Sequence, residues 1–307
     1  MLLEHGLIPG RPEPQSFARA ATIVHVDIDN RELNNKISVP YPIHANVKDF
    51  LIRMCTHCNS DTPKNYDPWI AKNNQFKKRY PSFSHPTKSE IDPNYFLHIL
   101  SQNLPDDAIL CVDVGQIQMW AAQNLEIKKS QRFLTEGGMA SIGSAVPLAI
   151  GASFAKPGTQ IIAITGDGGF QLNIQELQTI YHHQLPVKTI LLNNDGYGMI
   201  KQFQEQYLDS KFQSSGIGYS VPDFQDVVSA YKIPSTKIFA NDEIVSAVKH
   251  LVSDLGSGFL EVIIDEQSRA TPKLAVNRPV EDQEPLLPRE ELKSNMIIEM
   301  VPEPKQL

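Results

Sequence analysis

Two short runs in this 307-residue chain carry residue types that chelate a hard cation and cradle an anion. The first is Gly166-Asp167-Gly168-Gly169-Phe170. The second is LLNNDGYG, Leu191 to Gly198, whose Asn194 lies 27 positions after Asp167. Asp167 offers carboxylate oxygens, Asn194 an amide oxygen, and the turn after Asn194 exposes backbone carbonyls. Oxygen ligands completed by phosphate oxygens suit Mg²⁺. Gly166, Gly168 and Gly169 permit close backbone approach, and the start of a following helix points unpaired N–H groups at an anion. Each run alone also reads as an ordinary turn. Their separation by one strand–helix–strand crossover is what joins them into one candidate site. Neither is a P-loop or a dinucleotide-binding glycine fingerprint.

Such a site needs both runs at strand ends. QIIAITG (160–166) and VKTILLNN (187–194) lead directly into them, and ILCVDV (109–114) and FLEVIID (259–265) are further short, almost continuously apolar runs. Strands buried on both faces belong to a parallel sheet covered by helices. Asn173 and Glu176 suggest a capping box for a helix with Ile174, Leu177, Ile180 and Tyr181 on one stripe. Ser220 and Asp223 are candidate caps for a helix with Phe224, Val227, Val228 and Tyr231 inward. Asp242 similarly precedes Ile244, Val245, Val248 and Leu251. The predicted fold is α/β, a parallel open sheet with helices on both faces and its ligand site at the C-terminal strand ends.

The rest of the chain is organised around this block. TIVHVDI (22–28) predicts a strand and IHANVKDFLIRM a turn into a helix ending near Met54; one strand and one helix cannot bury both their apolar faces alone. The predicted divisions are 1–54, a 55–89 linker with helical turns around Trp69 to Arg79, the 90–270 α/β domain, and a 271–307 tail rich in Pro and acidic residues that crosses the surface or caps a site. Lys+Arg 28 against Asp+Glu 35 gives a net charge of -7, which lacks the basic field of a nonspecific nucleic-acid or anionic-membrane binder. No run approaches the roughly 20 apolar residues of a membrane span, and Met1 to Gly10 does not read as a signal peptide, so a cytoplasmic protein is expected. Cys55, Cys58 and Cys111 make no disulfide framework, and Cys55/Cys58 has no second CxxC to complete a zinc site. His57 reads as a surface or locally hydrogen-bonded residue.

GDGGF followed at this spacing by NNDGYG closely resembles the thiamine-diphosphate signature. VGQIQMWAAQ (114–123), LTEGGMASIGSAVPLAIGA (134–152) and LPVKTILLNN resemble the diphosphate-binding domain of the acetolactate-synthase branch of that family. SFARAATIVHVDID (16–29) and IHANVKDF (43–50) are similar to the closing part of the family's middle domain. The resemblance implies thiamine diphosphate and Mg²⁺ as cofactors, with Asp167, Asn194 and the Gly196 carbonyl as metal ligands. It places Val114, Gly115, Gln116, Ala140, Ile142, Gly166, Gly168, Gly169, Gly198 and Met199 around the cofactor. Ile142 would be the apolar wedge that fixes the cofactor's bent conformation; by its sequence pattern alone Ile142 reads as core, and Met199 can serve either role. Met199, Ile200 and Phe203 would line the substrate region.

Several positions depart from the family pattern. Ile117 stands where a His is frequent, Ala140 where Gly is commoner, and Phe203 where acetolactate synthases carry a Trp. Ile200 replaces a Glu found in simple decarboxylases, and isoleucine cannot protonate an intermediate. The implied reaction is decarboxylation of a 2-oxo acid with transfer of the acyl-anion equivalent to a second carbonyl. The family's pyrimidine-binding domain, with its activating Glu, has no counterpart in this sequence; Glu136, Glu176 and Glu205 read as a loop, a cap and a surface residue. A split enzyme whose partner subunit supplies that half, a truncated product, and a degenerate descendant all fit; a homo-oligomer of this chain alone is expected to bind Mg²⁺ and cofactor weakly with little turnover. FAD is not expected. The competing readings are another 2-oxo-acid decarboxylase or sugar-biosynthesis carboligase, and a noncatalytic regulatory or assembly module.

Overall fold

The computed structural model describes residues 17–57, 65–274 and 278–301. Two compact units emerge, one of residues 1–72 with 271–307 and the other of residues 73–270.

In the first unit β1 (Val24–Asp27) pairs in parallel with β2 (Tyr41–His44), and α1 (Val47–His57) follows. The helix runs one turn beyond Met54, and none of its residues is buried; Leu51, Ile52 and Met54 all face outward. The expected shortage of partners for this small strand–helix unit is thus visible among the described residues. Cys55 is exposed on α1, Cys58 lies outside the described residues, as does the Met1–Gly10 start, and His57 Nδ1 sits 2.8 Å from the Arg53 carbonyl. The tail groups with this unit, where Arg19 pairs with Glu281 at 2.8 Å.

α2 (Asp67–Arg79) precedes the second unit's framework: α3 (Pro93–Asn103), β3 (Ile109–Val112), α4 (Gln116–Asn124), β4 (Arg132–Thr135), α5 (Ala145–Ala155), β5 (Ile161–Gly166), α6 (Asp167–Leu172), α7 (Leu177–His182), β6 (Val187–Asn193), α8 (Gly198–Tyr207), α9 (Phe224–Ala230), β7 (Ser235–Ile238), α10 (Ile244–Leu251) and β8 (Gly258–Ile263). In the tail, β9 (Lys273–Leu274) pairs with β10 (Gln283–Glu284), and α11 (Arg289–Asn295) follows. The main sheet runs β4-β3-β5-β6-β8-β7, parallel throughout, as the apolar strands predict.

Strand alternation divides the core in two. Leu110, Val112, Ile162, Ile164, Ile190, Leu192, Leu260 and Val262 meet Phe96, Leu97, Leu100 and Trp120 on one face. Ile109, Cys111, Ile161, Ala163, Val187, Leu191 and Phe259 meet Val146, Phe170, Leu177, Phe224 and Val228 on the other. Each such fully buried aliphatic or aromatic side chain contributes about 1.5–3 kcal/mol, which is why both faces must be covered. From β3 the chain steps outward to β4, then returns across β3 to β5. That reversal opens a crevice at the C-terminal ends of β3 and β5, where open α/β sheets bind ligands.

Three local expectations are corrected. Asn173 and Glu176 form no capping box: Asn173 Nδ2 donates instead to the Gly143 carbonyl at 2.8 Å, and Glu176 accepts from Thr179 Oγ1 at 2.9 Å. The helix there is broken into α6, a 3₁₀ turn and α7. Asp223 caps α9 as expected, accepting from Gln225 N at 2.8 Å. Before α10 it is Glu243, not Asp242, that turns back, accepting from Phe239 N and Ala240 N at 2.8 and 2.9 Å. Ile244, Val248 and Leu251 of α10 are buried as expected, with Ala247 completing the stripe, while Val245 is 41% exposed.

Candidate functional site

The cleft at the reversal point is walled by the turns after three adjacent strands. After β3 come Val114, Gly115, Gln116 and Ile117; after β5, Gly166 to Gly169; after β6, Asn194, Gly196, Gly198, Met199 and Ile200, with Ile142 at the side. Of the residues singled out from sequence, these gather in one place; Ala140 and Phe203 do not reach the lining.

Asp167 is the first residue of α6 and is 1% exposed. Its Oδ2 accepts from Gly196 N and its Oδ1 from Gly168 N, both at 2.9 Å, so the two sequence runs are joined by a direct hydrogen bond. Burial raises its pKa to about 6, against the lowering effect of the Gly196 and Gly168 amides. No basic side chain pairs with it among the described residues. A buried carboxylate left without a cation is costly, and a bound divalent ion would offset that cost.

Asn194 is 7% exposed; its Nδ2 donates to Gln116 Oε1 at 3.4 Å, and its Oδ1 has no hydrogen bond among the described residues. Asn193, one position earlier, points the other way, holding Glu261 Oε1 at 2.9 Å and accepting from Asp195 N at 3.1 Å. Asp195 takes φ 49, a left-handed turn residue. Asn193 and Asp195 make the bend of NNDG, and Asn194 lines the cleft. With Asp167, Asn194 Oδ1 and the carbonyl-rich turn, the donors are hard oxygens, a set that fits Mg²⁺.

The glycines hold the walls close. A Cβ on Gly168 would lie 2.4 Å from the Tyr197 ring, and one on Gly198 would lie 2.0 Å from Gln116 Oε1. Gly115 adopts φ 105, which an L side chain strains to reach. α6 has only six residues and Gly168 N is engaged by Asp167, so the turn offers fewer free amides to an anion than the sequence suggested.

Ile142 is 42% exposed, so it is not a core residue; it stands on a loop stapled by Glu136, which accepts from Met139 N at 3.0 Å and Ser141 N at 2.6 Å. Those two amides hold the Glu136 carboxyl below its usual range. Ala140 within that loop has φ 54, which explains why glycine suits the position. Met199 both lines the cleft and packs on the core, while Ile200 and Phe203 on α8 are 50% and 36% exposed. Glu205 is an exposed residue paired with Arg269 at 2.6 Å.

Sequence reasoning missed Asp113 and Gln202. Asp113, 1% exposed, accepts from Val114 N and Gly143 N at 2.9 Å and from Thr165 Oγ1 at 2.8 Å, tying the ends of β3 and β5 to the Ile142 loop. Its only sequence signal is a carboxylate at the end of an apolar strand. Gln202, 2% exposed on α8, carried none.

Residues 113–262 match the family model for the thiamine pyrophosphate enzyme C-terminal TPP binding domain. Fold and cleft together thus define a thiamine-diphosphate-binding module. The chain is 32% identical over 269 residues to acetolactate synthase 1, chloroplastic, of Zea mays, covering 85% of this chain and 42% of that protein. It is 31% identical over 261 residues to the acetolactate synthase large subunit of Lactococcus lactis subsp. lactis (strain IL1403), covering 85% and 45%. Against acetolactate synthase isozyme 2 large subunit of Escherichia coli (strain K12) it is 31% identical over 258 residues, covering 84% and 46%. The chain belongs to the thiamine-diphosphate-dependent enzyme family, in its acetolactate-synthase-like branch, and spans less than half the length of these curated relatives. No helix among the described residues is long and apolar enough to cross a membrane.

Proposed function

We propose that this chain is the diphosphate-binding half of a carboligase that decarboxylates a 2-oxo acid and transfers the acyl-anion equivalent to a second carbonyl, working with a pyrimidine domain supplied by another polypeptide or another copy. The observation that carries the reading is the meeting of Asp167, Asn194 and Gly196 at one cleft, with a buried carboxylate that has no cationic partner among the described residues. When bound, thiamine diphosphate supplies the electron sink that lets carbon dioxide leave.

The chain's residues supply binding and orientation. Asp167, Asn194 Oδ1 and the Gly196 carbonyl would hold Mg²⁺, which would supply positive charge for a diphosphate. Val114, Gly115 and Gln116 would flank the diphosphate; with Val114 N held by Asp113, the backbone amides of Gly115 and Gln116 would take the place of an imidazole that Ile117 cannot provide. Ile142 presents a bulky apolar side chain into the cleft to set the cofactor's conformation, and Gly166, Gly168, Gly169, Gly198 and Met199 complete its walls. Ile200 and Phe203 border the substrate region. An isoleucine donates no proton, which favours passage of the acyl unit to a second carbonyl over release of an aldehyde.

Calorimetric titration of thiamine diphosphate with and without Mg²⁺ tests the assignment. Asp167→Ala and Asn194→Ala are each expected to weaken Mg²⁺-dependent binding by at least about tenfold, or 1.4 kcal/mol. Unchanged binding in both, with the fold intact by circular dichroism, would overturn the reading.

A further inference from the structure

Asn194 can ligate a cation only if its oxygen, not its nitrogen, faces the cleft. The two ends of a side-chain amide are nearly the same shape, so something must choose between them. In this structure the choice is made by a chain of three buried amides ending on backbone. Ala270 N donates to Gln202 Oε1 at 3.1 Å, and Gln202 Nε2 donates to the Ala270 carbonyl at 2.9 Å. A backbone N–H cannot become an acceptor, so Gln202 has one allowed orientation. Gln202 Oε1 then accepts from Gln116 Nε2 at 3.0 Å, which also donates to the Ser268 carbonyl at 3.2 Å. Two acceptors on one side of Gln116 place its Oε1 on the other, where it accepts from Asn194 Nδ2 at 3.4 Å. Asn194 Oδ1 is thereby left facing the cleft. Gln116, Gln202 and Asn194 are 4%, 2% and 7% exposed, so water does not compete freely for these bonds.

We propose that Gln202 is a positioning residue for the metal site: anchored on the backbone of Ala270, it fixes the orientation of Gln116 and through it turns the Asn194 carboxamide oxygen toward the cation. This rests on the reading of Asn194 as a metal ligand. It assigns Gln116 a role distinct from direct contact with the diphosphate, since its amide is engaged on three sides. It also makes segment 268–270 part of the site's supporting shell, although the segment contributes no group to the cleft lining.

The test uses Mn²⁺ in place of Mg²⁺, with thiamine diphosphate, and reads free Mn²⁺ by electron paramagnetic resonance, so no turnover is needed. Gln202→Met keeps the shape of the side chain and removes both ends of its hydrogen bonding. It is expected to weaken Mn²⁺ binding about tenfold, the lower end for loss of a group that orients a metal ligand. The same substitution in an Asn194→Asp background is expected to change affinity less than about twofold, because a carboxylate presents an oxygen whichever way it turns and a released Gln116 can donate to it. Gln116→Met serves as a second variant at the next link and should show the same dependence on Asn194. Equal losses in both backgrounds, or no loss with Asn194 intact, would overturn the proposal, the first marking a merely structural role. If instead the unaltered chain binds no Mn²⁺, or Asn194→Ala binds as the unaltered chain does, the metal-site reading itself fails and this inference goes with it.

Discussion

Asp113 pins three segments with one carboxylate, and its protonation state is where that arrangement can be probed. Burial raises its pKa above the ordinary aspartate value of 3.8, outweighing the hydrogen bonds from Thr165, Val114 and Gly143. A carboxyl whose folded pKa is raised favours folding most below its unfolded pKa, and that contribution fades as pH climbs through the folded value. Asp113→Asn keeps Oδ1 for the Val114 and Gly143 amides. Its Nδ2 can donate to Thr165 Oγ1, whose hydroxyl has a ready alternative acceptor in the Gly166 carbonyl at 3.2 Å. The Asn variant should therefore gain stability relative to the parent as pH rises above about 4, the unfolded carboxyl value, in urea denaturation. Asp113→Ala, which strands two buried amide donors, should cost about 2–4 kcal/mol. A stability difference between Asn and Asp that is flat across that range would show that the carboxyl's burial carries no such penalty. The sequence hid Asp113 and Gln202 for one reason: apart from Val114 N, their partners are backbone atoms and side chains 30 to 86 positions away, and no local pattern encodes those meetings. Asp167 and Asn194 were legible because the glycines that make room for them sit beside them in the chain.

Among the elements, the interior strands were readable because burial on both faces forces continuous apolar runs, as in β5 and β6. The edge strands β4 and β7, RFLT and STKI, are only partly buried and carry mixed residues, so their sequences do not stand out from loops. The break between α6 and α7 was equally invisible. The helical spacing of Ile174 to Tyr181 runs through it, while Asn173 is drawn off to the Gly143 carbonyl by a contact the local sequence does not display. What sets the placement of α6 is its close approach to the end of β3. A Cβ on Gly169 would lie 2.5 Å from Asp113 Oδ2 and 3.1 Å from Thr165 Oγ1. Gly169→Ala should force the first turn of α6 off the sheet and destabilise the protein by about 1–3 kcal/mol. Gly151→Ala, in α5 with nothing within 4 Å of the added methyl, should instead stabilise by about 0.5–1 kcal/mol, as alanine does in a helix interior. Thermal melts of the two variants moving in the same direction would contradict this account of the β3–α6 approach.

At the scale of the whole molecule, the cleft gathers the residues proposed to bind thiamine diphosphate, and few of them can move a proton. Among the described residues its lining holds one carboxylate, Asp167, and no Glu, His or Lys. Asp167 is committed to the amides of Gly168 and Gly196 and, in the proposed reading, to the metal, so it is not free to move a proton on the cofactor's far side. Ile142 and Ile200, 42% and 50% exposed, leave an apolar rim partly open to solvent, whereas enzymes of this kind of chemistry depend on excluding water from the reacting carbon. A second protein surface carrying an acid and covering that rim would meet both needs at once. The chain alone is therefore expected to bind thiamine diphosphate with Mg²⁺ yet consume no pyruvate above the rate of the Asp167→Ala variant in a coupled carbon dioxide assay. Adding a polypeptide that carries a pyrimidine-binding domain from an acetolactate synthase should raise consumption, and the gain should vanish when Asn194→Ala replaces the parent chain. Sustained pyruvate consumption by the purified chain by itself would mean that the proton-transfer group is already present within it, and the half-site reading would have to be abandoned.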